Sequence, residues 1–412
     1  MRRSISIRYA VRSLRRHTRR TILAILGVGL GCAVCLFMIA WVRGEGRMML
    51  KAAAECGAGH FRVVPAQWPD TRENDFRLAD WQRIREVVQA TEGGKIVAPH
   101  ARKEGLLAFG TRVAGVEIVG VDATVEQPAN RLVHRVTEGS YLTTGDEGTT
   151  VIGRGVAERL DVALDDPLMV TVANAEGEMN SAMLRIVGIA ETGSAELDAT
   201  ICHVNLEDVE NLTGLPGAGD LTILLDNPKR LEGTVEKLRG ELSDDYAVVT
   251  WEEIVPELAS GVEVDETWTK LTVAIVMIVV FLGIMSAQLA AVLERRREFA
   301  VLSALGMKGS RLVGVMVVEG LFLGLAGSIL GLVFGLPAAY YAATHGIDFS
   351  EIYGTELSMS NILFDPVFKG DFGWWLVPLA FELALSATVL SSLYPAWFAI
   401  RTDPAAALRV EH

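Results

Sequence analysis

The sequence predicts an α-helical membrane protein with four transmembrane helices in a 1+3 arrangement and an α+β domain inserted after the first. Three observations predict it. Four stretches are apolar for the roughly 20 residues that a helix needs to cross a hydrocarbon core about 30 Å thick: Thr21–Val42, Leu271–Leu293 and Gly320–Thr344 are uncharged, and Phe372–Ile400 carries only Glu382. The short segments at 1–20 and 294–311 are rich in arginine and lysine. The long segment 44–268 is the opposite, with 20 Lys and Arg against 40 Asp and Glu, a net charge of −20.

Residues 1–20 contain eight arginines and no acid, with Ile5, Ile7, Tyr9, Ala10, Val11 and Leu14 interspersed, the pattern of an amphipathic helix lying on the cytoplasmic membrane surface. Residues 21–43 form the first span, too long for a signal peptide and followed by no small-residue cleavage pattern. Spans at 269–293, 312–345 and 372–400 follow the inserted domain, separated by loops at 294–311 and 346–371 and ending in a tail at 401–412. Lipid offers no hydrogen bonds to backbone groups, and four segments cannot close a barrel, so all four are helices. The positive-inside rule places both termini and the 294–311 loop in the cytoplasm, and segments 44–268 and 346–371 outside. The acidic outer domain disfavours nucleic acid as a partner.

Within 44–268, strand-like Phe61–Val64, helical Leu78–Thr91 and β-rich runs over Lys95–Val121 precede an insert at about 124–218. The pattern resumes with Leu221–Leu225, helix-like Pro228–Leu242 and strand-like Tyr246–Thr250, which predicts one α/β subdomain assembled from both flanks. The insert reads as a β-rich subdomain, with strands at Thr149–Gly153, Leu168–Val172, Ala182–Ala190 and Thr200–Val204. Trp251–Lys270 reads as a helical stalk entering the second span. Cys32 and Cys35 pack as small hydrophobes inside the first span. Cys56 and Cys202 lie on the oxidising side and can pair if their Cα atoms come within bonding range.

Enzyme signatures are missing from the sequence. It has no phosphate-binding G-x-x-x-x-G-K-[ST] loop, no H-E-x-x-H and no G-x-S-x-G, and its seven histidines are scattered, so neither a catalytic nor a metal site is expected. Inside the membrane, Gly27 and Gly31 in the first span, and Gly320 and Gly324, then Gly327, Gly331 and Gly335 in the third, stand four residues apart within each run as packing positions toward a helix of this chain or of another subunit. Glu382 sits in the fourth span at an energetic cost and is expected to face protein or a cavity as a hydrogen-bonding group. Glu319 lies nearer the inner boundary, where it can snorkel toward water.

Two cytoplasmic segments carry the remaining signal. In 294–311, Glu298, Leu302 and Leu305 recur at helical spacing and Gly306 ends the turn, as in a short amphipathic helix that docks on a partner. At the end, Tyr394-Pro-Ala-Trp-Phe-Ala-Ile-Arg-Thr-Asp-Pro-Ala-Ala-Ala-Leu-Arg409 follows the last span. These patterns resemble the FtsX/MacB-type permease family of ABC transporters. Arg295, Glu298, Phe299, Leu302, Ala304 and Gly306 match the first motif, and Tyr394, Pro395, Ala396, Ala399, Asp403, Pro404, Ala407, Leu408 and Arg409 the second; Ser303 departs from the basic residue often found there.

The resemblance implies an inner-membrane transporter subunit without an ATPase site of its own. Arg295, Arg297, Glu298, Phe299, Leu302, Ala304, Leu305, Gly306 and Met307 would couple it to a cytosolic ABC ATPase dimer, which binds ATP and Mg²⁺; this chain would carry no cofactor. A second permease subunit, identical or different, would complete the pair, and the outer domain would move rather than conduct substrate. Gly120-Val-Asp122, Glu138-Gly-Ser-Tyr-Leu142 and Gly188–Asp198 look like the lipoprotein-releasing (Lol) branch, implying extraction of a lipid-anchored or amphipathic substrate. The hairpin Asn174–Ser181 is short and lacks proline, which argues against direct recruitment of a periplasmic carrier. Rival expectations are an FtsX-like scaffold activating a cell-wall hydrolase, and a MacB-like efflux permease with a fusion protein.

Overall fold

The uncharged stretches form long helices: Thr18–Ala53, Pro256–Glu294, Gly309–Thr344 and Leu376–Arg401. All four are long and apolar enough to cross a membrane. The computed structural model describes residues 18–91, 94–294, 301, 309–353, 357–359 and 362–401. The amphipathic helix expected over 1–20 therefore lies almost wholly outside the described residues. The first helix runs ten residues past the expected end of its span and finishes in a π turn, Ala54–Ala58, where Gly57 takes φ +92°. The fourth begins at Leu376 rather than 372.

The chain divides into two compact units. The helical unit comprises Met1–Gly46, Glu263–Ile347 and Phe368–His412. Its third helix packs against the first through a row of glycines, and Cys32, Leu36, Ala40, Ala339, Leu376 and Ala380 form a buried cluster. Apolar burial gains nothing between helices already in lipid, so close backbone approach carries the packing.

The second unit comprises Arg47–Val262 and Asp348–Val367. Its strands are β1 (Phe61–Pro65), β2 (Gly94–Phe109), β3 (Arg112–Val121), β4 (Val136–Gly139), β5 (Thr149–Gly153), β6 (Pro167–Ala173), β7 (Met179–Ala190), β8 (Ile201–Asn205), β9 (Asp220–Leu225) and β10 (Tyr246–Thr250). They form one ten-stranded sheet in the order β10-β1-β9-β2-β3-β8-β5-β7-β4. Because β6 pairs with both β2 and β7, the strands β2-β3-β8-β5-β7-β6 close into a six-membered ring.

The expected α/β and β-rich parts are thus not separate sheets. Strand β2 is long enough to serve both: residues 94–100 pair with β9, and 100–109 pair with β3. Two cores result. Phe61, Val63, Ile84, Val88, Leu221 and Leu238 pack on the open side, while Leu107, Ile118, Ile152, Leu168, Ile186 and Val204 fill the ring. The short β runs expected over Lys95–Val121 are instead the single β2–β3 hairpin, whose turn places Gly110 at φ +57°.

Candidate functional site

Strands with an apolar inward face should not hold charge there, yet several here do, and their charged groups converge. Arg62 lies between Phe61 and Val63 on β1, His100 and Arg102 are on β2, Asp220 and Thr222 on β9, and His203 on β8. Glu126 comes from the helix Ala123–Ala129, which Asp122 caps by accepting from the Thr124 amide. All are buried except Arg102, which is partly so. An unpaired charge in such a place is prohibitive, so each has a partner.

His100 is the hub. Its Nε2 lies 2.8 Å from Glu126 Oε2 and its Nδ1 3.0 Å from Thr222 Oγ1, whose hydroxyl donates to Asp220 Oδ1 at 2.8 Å. Asn130 Nδ2 donates to the other Glu126 oxygen at 2.7 Å. Arg102 Nε donates to Asp220 Oδ2 at 3.3 Å, and Arg62 Nε sits 3.8 Å from Oδ1. Both guanidiniums also donate to the Gly57 carbonyl, at 2.8 Å and 3.2 Å. The left-handed backbone at Gly57, which an L side chain rarely adopts, turns that carbonyl toward the pair.

The electrostatics follow from this geometry. Burial alone would push the His100 imidazole down, but the Glu126 charge and the hydrogen bonds with Asp220 and Glu126 outweigh it and raise its pKa. Burial would raise Glu126, but the His100 charge and hydrogen bond hold it down to about 2. Asp220, also opposed by burial, is held far below the usual carboxylate range by Arg62 and Arg102. His203 differs: burial lowers it to about 4, and the neutral ring lies with Nδ1 2.7 Å from the Tyr141 hydroxyl.

Arg62, His100, Arg102, Glu126, Asn130 and His203 line a cleft of about 310 Å³, which Leu132, Leu197, Ile201, Ile254, Val255 and Ile362 border with apolar surface. Among the described residues, no group of three His, Cys, Asp or Glu is placed to hold a metal ion. The cluster joins the segment entering the ring region, at Glu126, to the strand leaving it, at Asp220. It is built as an ionic clamp, and all of its charges engage one another. Sequence reasoning missed every member. The usable signal was charge at inward positions of apolar strands, in Phe-Arg-Val-Val and Ile-Cys-His-Val.

In the helical unit the packing positions divide. A Cβ on Gly327 would fall 2.4 Å from Val28, on Gly331 2.7 Å from Cys32, and on Gly335 3.0 Å from Leu36, so these three let the third helix close on the first. Gly31 faces Val280 of the second helix, and Gly320 and Gly324 face Ser392 and Thr388 of the fourth. Nothing of this chain lies within 4 Å of a Cβ on Gly27, and the first-helix glycine packed inside the helical unit beside it is Gly29, against Leu330. Gly331→Leu is accordingly expected to cost about 1–3 kcal/mol through overpacking, while Gly27→Leu changes stability by about 0.5 kcal/mol or less. Thermal unfolding in detergent compares the two, and equal losses would contradict the assignment.

Glu319 is a correction. It is buried, 8% exposed, beside a small cavity that Arg20 and Gln288 share, rather than reaching to water. Glu382, expected to face protein, is exposed on this chain. It lies six residues into the fourth helix, about 9 Å along the axis from Leu376, close enough to the helix end to reach the interface. Cys56 and Cys202 are both free: Cys202 is directed to the Thr150 hydroxyl at 3.5 Å and Cys56 to the Leu363 carbonyl at 3.9 Å. The coupling positions Arg295, Arg297, Glu298, Phe299, Leu302, Ala304, Leu305, Gly306 and Met307 lie outside the described residues.

Two family models match the chain. The MacB-like periplasmic core domain covers residues 21–241, more than half of the sequence, and the FtsX-like permease C-terminal domain covers 270–404. The chain belongs to the FtsX/MacB-type permease family. It is an ABC transporter permease, a membrane-spanning subunit with a MacB-like periplasmic core domain. Among curated relatives of this permease, the lipoprotein-releasing system transmembrane protein LolC of Neisseria meningitidis serogroup B is 23% identical over 95% of this chain and 94% of its own. The corresponding LolE of Haemophilus influenzae is 22% identical over 93% and 92%. The macrolide export ATP-binding/permease protein MacB of Hyphomonas neptunium is 26% identical over 98% of this chain and 61% of its own. The clamp described above thus sits within the MacB-like core of an FtsX/MacB-type permease.

Proposed function

We propose that this permease converts ATP hydrolysis by a separately encoded cytosolic ATPase dimer into movement of its sheet-bearing unit, drawing a lipoprotein or another lipid-anchored, amphipathic substrate from the outer leaflet of the inner membrane. The observation that carries the reading is similarity along nearly the whole chain to proteins of lipoprotein-releasing systems. In this reading both termini and residues 294–311 face the cytoplasm, a second permease subunit completes the pair, and the nucleotide and its Mg²⁺ stay on the ATPase. Two features support it: the acidic segment 44–268 opposed to the basic 1–20 and 294–311, and the absence of a phosphate-binding loop from the sequence.

Co-purification in mild detergent followed by ATPase assay tests the reading. Glu298→Ala with Leu302→Ala is expected to weaken ATPase retention by about 10–30-fold, the effect of truncating central interface residues. Unchanged retention and unchanged complex ATPase activity would sink the coupling role. Similarity to the macrolide export protein favours efflux as the second reading. Deleting the gene separates the two, since lipoprotein retained in the inner membrane marks release and macrolide sensitivity marks efflux.

A further inference from the structure

Polar side chains are costly inside a helix bundle in lipid and are kept where they do something. The helical unit buries several of them near the helix ends that border the coupling segment. Gln288, on the second helix, is 6% exposed and its Nε2 donates to Ser392 Oγ of the fourth helix at 2.9 Å. Ser392 in turn donates to the Thr388 carbonyl at 2.6 Å. The third helix crosses this contact at Gly320, where a Cβ would lie 2.3 Å from Ser392 Oγ and 3.4 Å from Gln288 Nε2. Only a glycine there lets the hydrogen bond form, so three helices meet at one polar point.

The first helix is tied to the same place. Arg20 Nη1 pairs with Glu294 Oε2 at 3.3 Å, and Arg20, Gln288 and Glu319 line a common cavity of about 20 Å³, the size of one water molecule. The buried Gln288 Oε1 has no hydrogen-bond partner among the described residues, so stability alone does not explain this side chain. Gln288 is six residues from Glu294, the last described residue before the coupling segment, or about 9 Å along the helix.

We propose that the Gln288–Ser392 contact over Gly320 is the joint through which movement of residues 295–308 reaches the third and fourth helices, with Gln288 as a positioning residue for coupling. The proposal rests on the coupling function proposed above. A rigid helix delivers a push at its end to its contacts on the neighbouring helices. Val292 clusters with Met316 and Ala396 one turn nearer that end, and the Gln288–Ser392 bond adds the directional contact between the second and fourth helices. Gln288→Leu keeps the bulk and removes the bond; Ser392→Ala removes it from the other side with little change in volume.

The test uses the full permease–ATPase complex in lipid nanodiscs, comparing amide hydrogen exchange with and without ATP in peptides covering 47–58 and 251–262. Both variants are expected to retain ATPase and basal hydrolysis, and to lose the ATP-dependent exchange change by about 3–10-fold, the worth of an interhelical hydrogen bond in a membrane. Gln288→His, whose Nε2–H can still donate to Ser392, is expected to recover most of it. An ATP response equal to that of the unaltered chain in both variants overturns the joint. So does a parallel fall in thermal stability and ATPase retention with the response of the surviving complex intact, because that is how a merely structural contact behaves. An unaltered chain that binds no ATPase overturns the coupling function, and the joint with it.

Discussion

Asp220→Ala is expected to destabilise the sheet-bearing unit by about 3–5 kcal/mol, the cost of stranding buried charge. One carboxylate there balances two guanidiniums, Arg62 and Arg102, and closes the Thr222 relay to His100. Its removal leaves Arg62, already lowered to about 10 by burial and by Arg102, with no counter-charge among its contacts except the exposed Glu117. Asp220→Asn keeps the shape and one acceptor, and should recover only part of the loss because the charge is what the arginines require. A buried ion cluster is not in itself a net source of stability, since desolvation offsets the attraction. The diagnostic is therefore a double-mutant cycle: Asp220→Ala with Arg102→Leu should lose less than the two single changes summed. Denaturant titration of the full chain in detergent, followed by tryptophan fluorescence, measures all four. A loss below about 1 kcal/mol for Asp220→Ala, the scale of an exposed pair, would show that the cluster is solvated.

What the sequence revealed and what it hid divide along a physical line. The spans were legible because an uncharged run of this length has only one outcome in lipid, and the strand Tyr246–Thr250 emerged at its expected bounds. The ring closure was not legible. It depends on β6 meeting β2 some 60 residues away in sequence, as in the pairing of Leu107 with Val170, and no local pattern encodes that. Helix packing was half legible: four-residue glycine spacing located Gly331 and Gly335, but the spacing holds equally for Gly27, which faces outward. Position on the helix decides between them, and position depends on the neighbouring helix. The clamp was hidden for a similar reason. Arg62, His100 and Asp220 are separated by 38 and 120 residues, and each alone reads as an ordinary polar interruption.

Acid should open this unit in a defined order. His203 is held neutral by burial, with its pKa lowered from 6.5 to about 4, so the folded state binds fewer protons than the unfolded chain across that interval. Its contribution is complete above pH 6.5 and is lost as the pH falls toward 4, to a total of about 3 kcal/mol. His100 has the opposite sign: its raised pKa favours the folded state below the unfolded value, and that contribution fades as the pH rises through the folded one. Glu126, held at about 2, contributes above its unfolded value of 4.5 and is lost only below that, as is Asp220 from 3.8 downward. The first acid loss therefore belongs to the histidines that burial lowers, His203 and His60, whose Nδ1 accepts from the Leu225 amide at 3.1 Å. In the His203 tautomer whose Nδ1 accepts from the Tyr141 hydroxyl at 2.7 Å, protonation there removes that bond as well as adding a buried charge. His203→Gln is expected to reduce the fall in stability between pH 6.5 and 4, leaving the His60 part and the lower carboxylate phase in place. Denaturant midpoints of the two proteins across that range decide it. A flat profile in the unaltered chain, or an equal fall in the variant, would remove His203 from the account and leave the clamp as a device of the carboxylates and arginines.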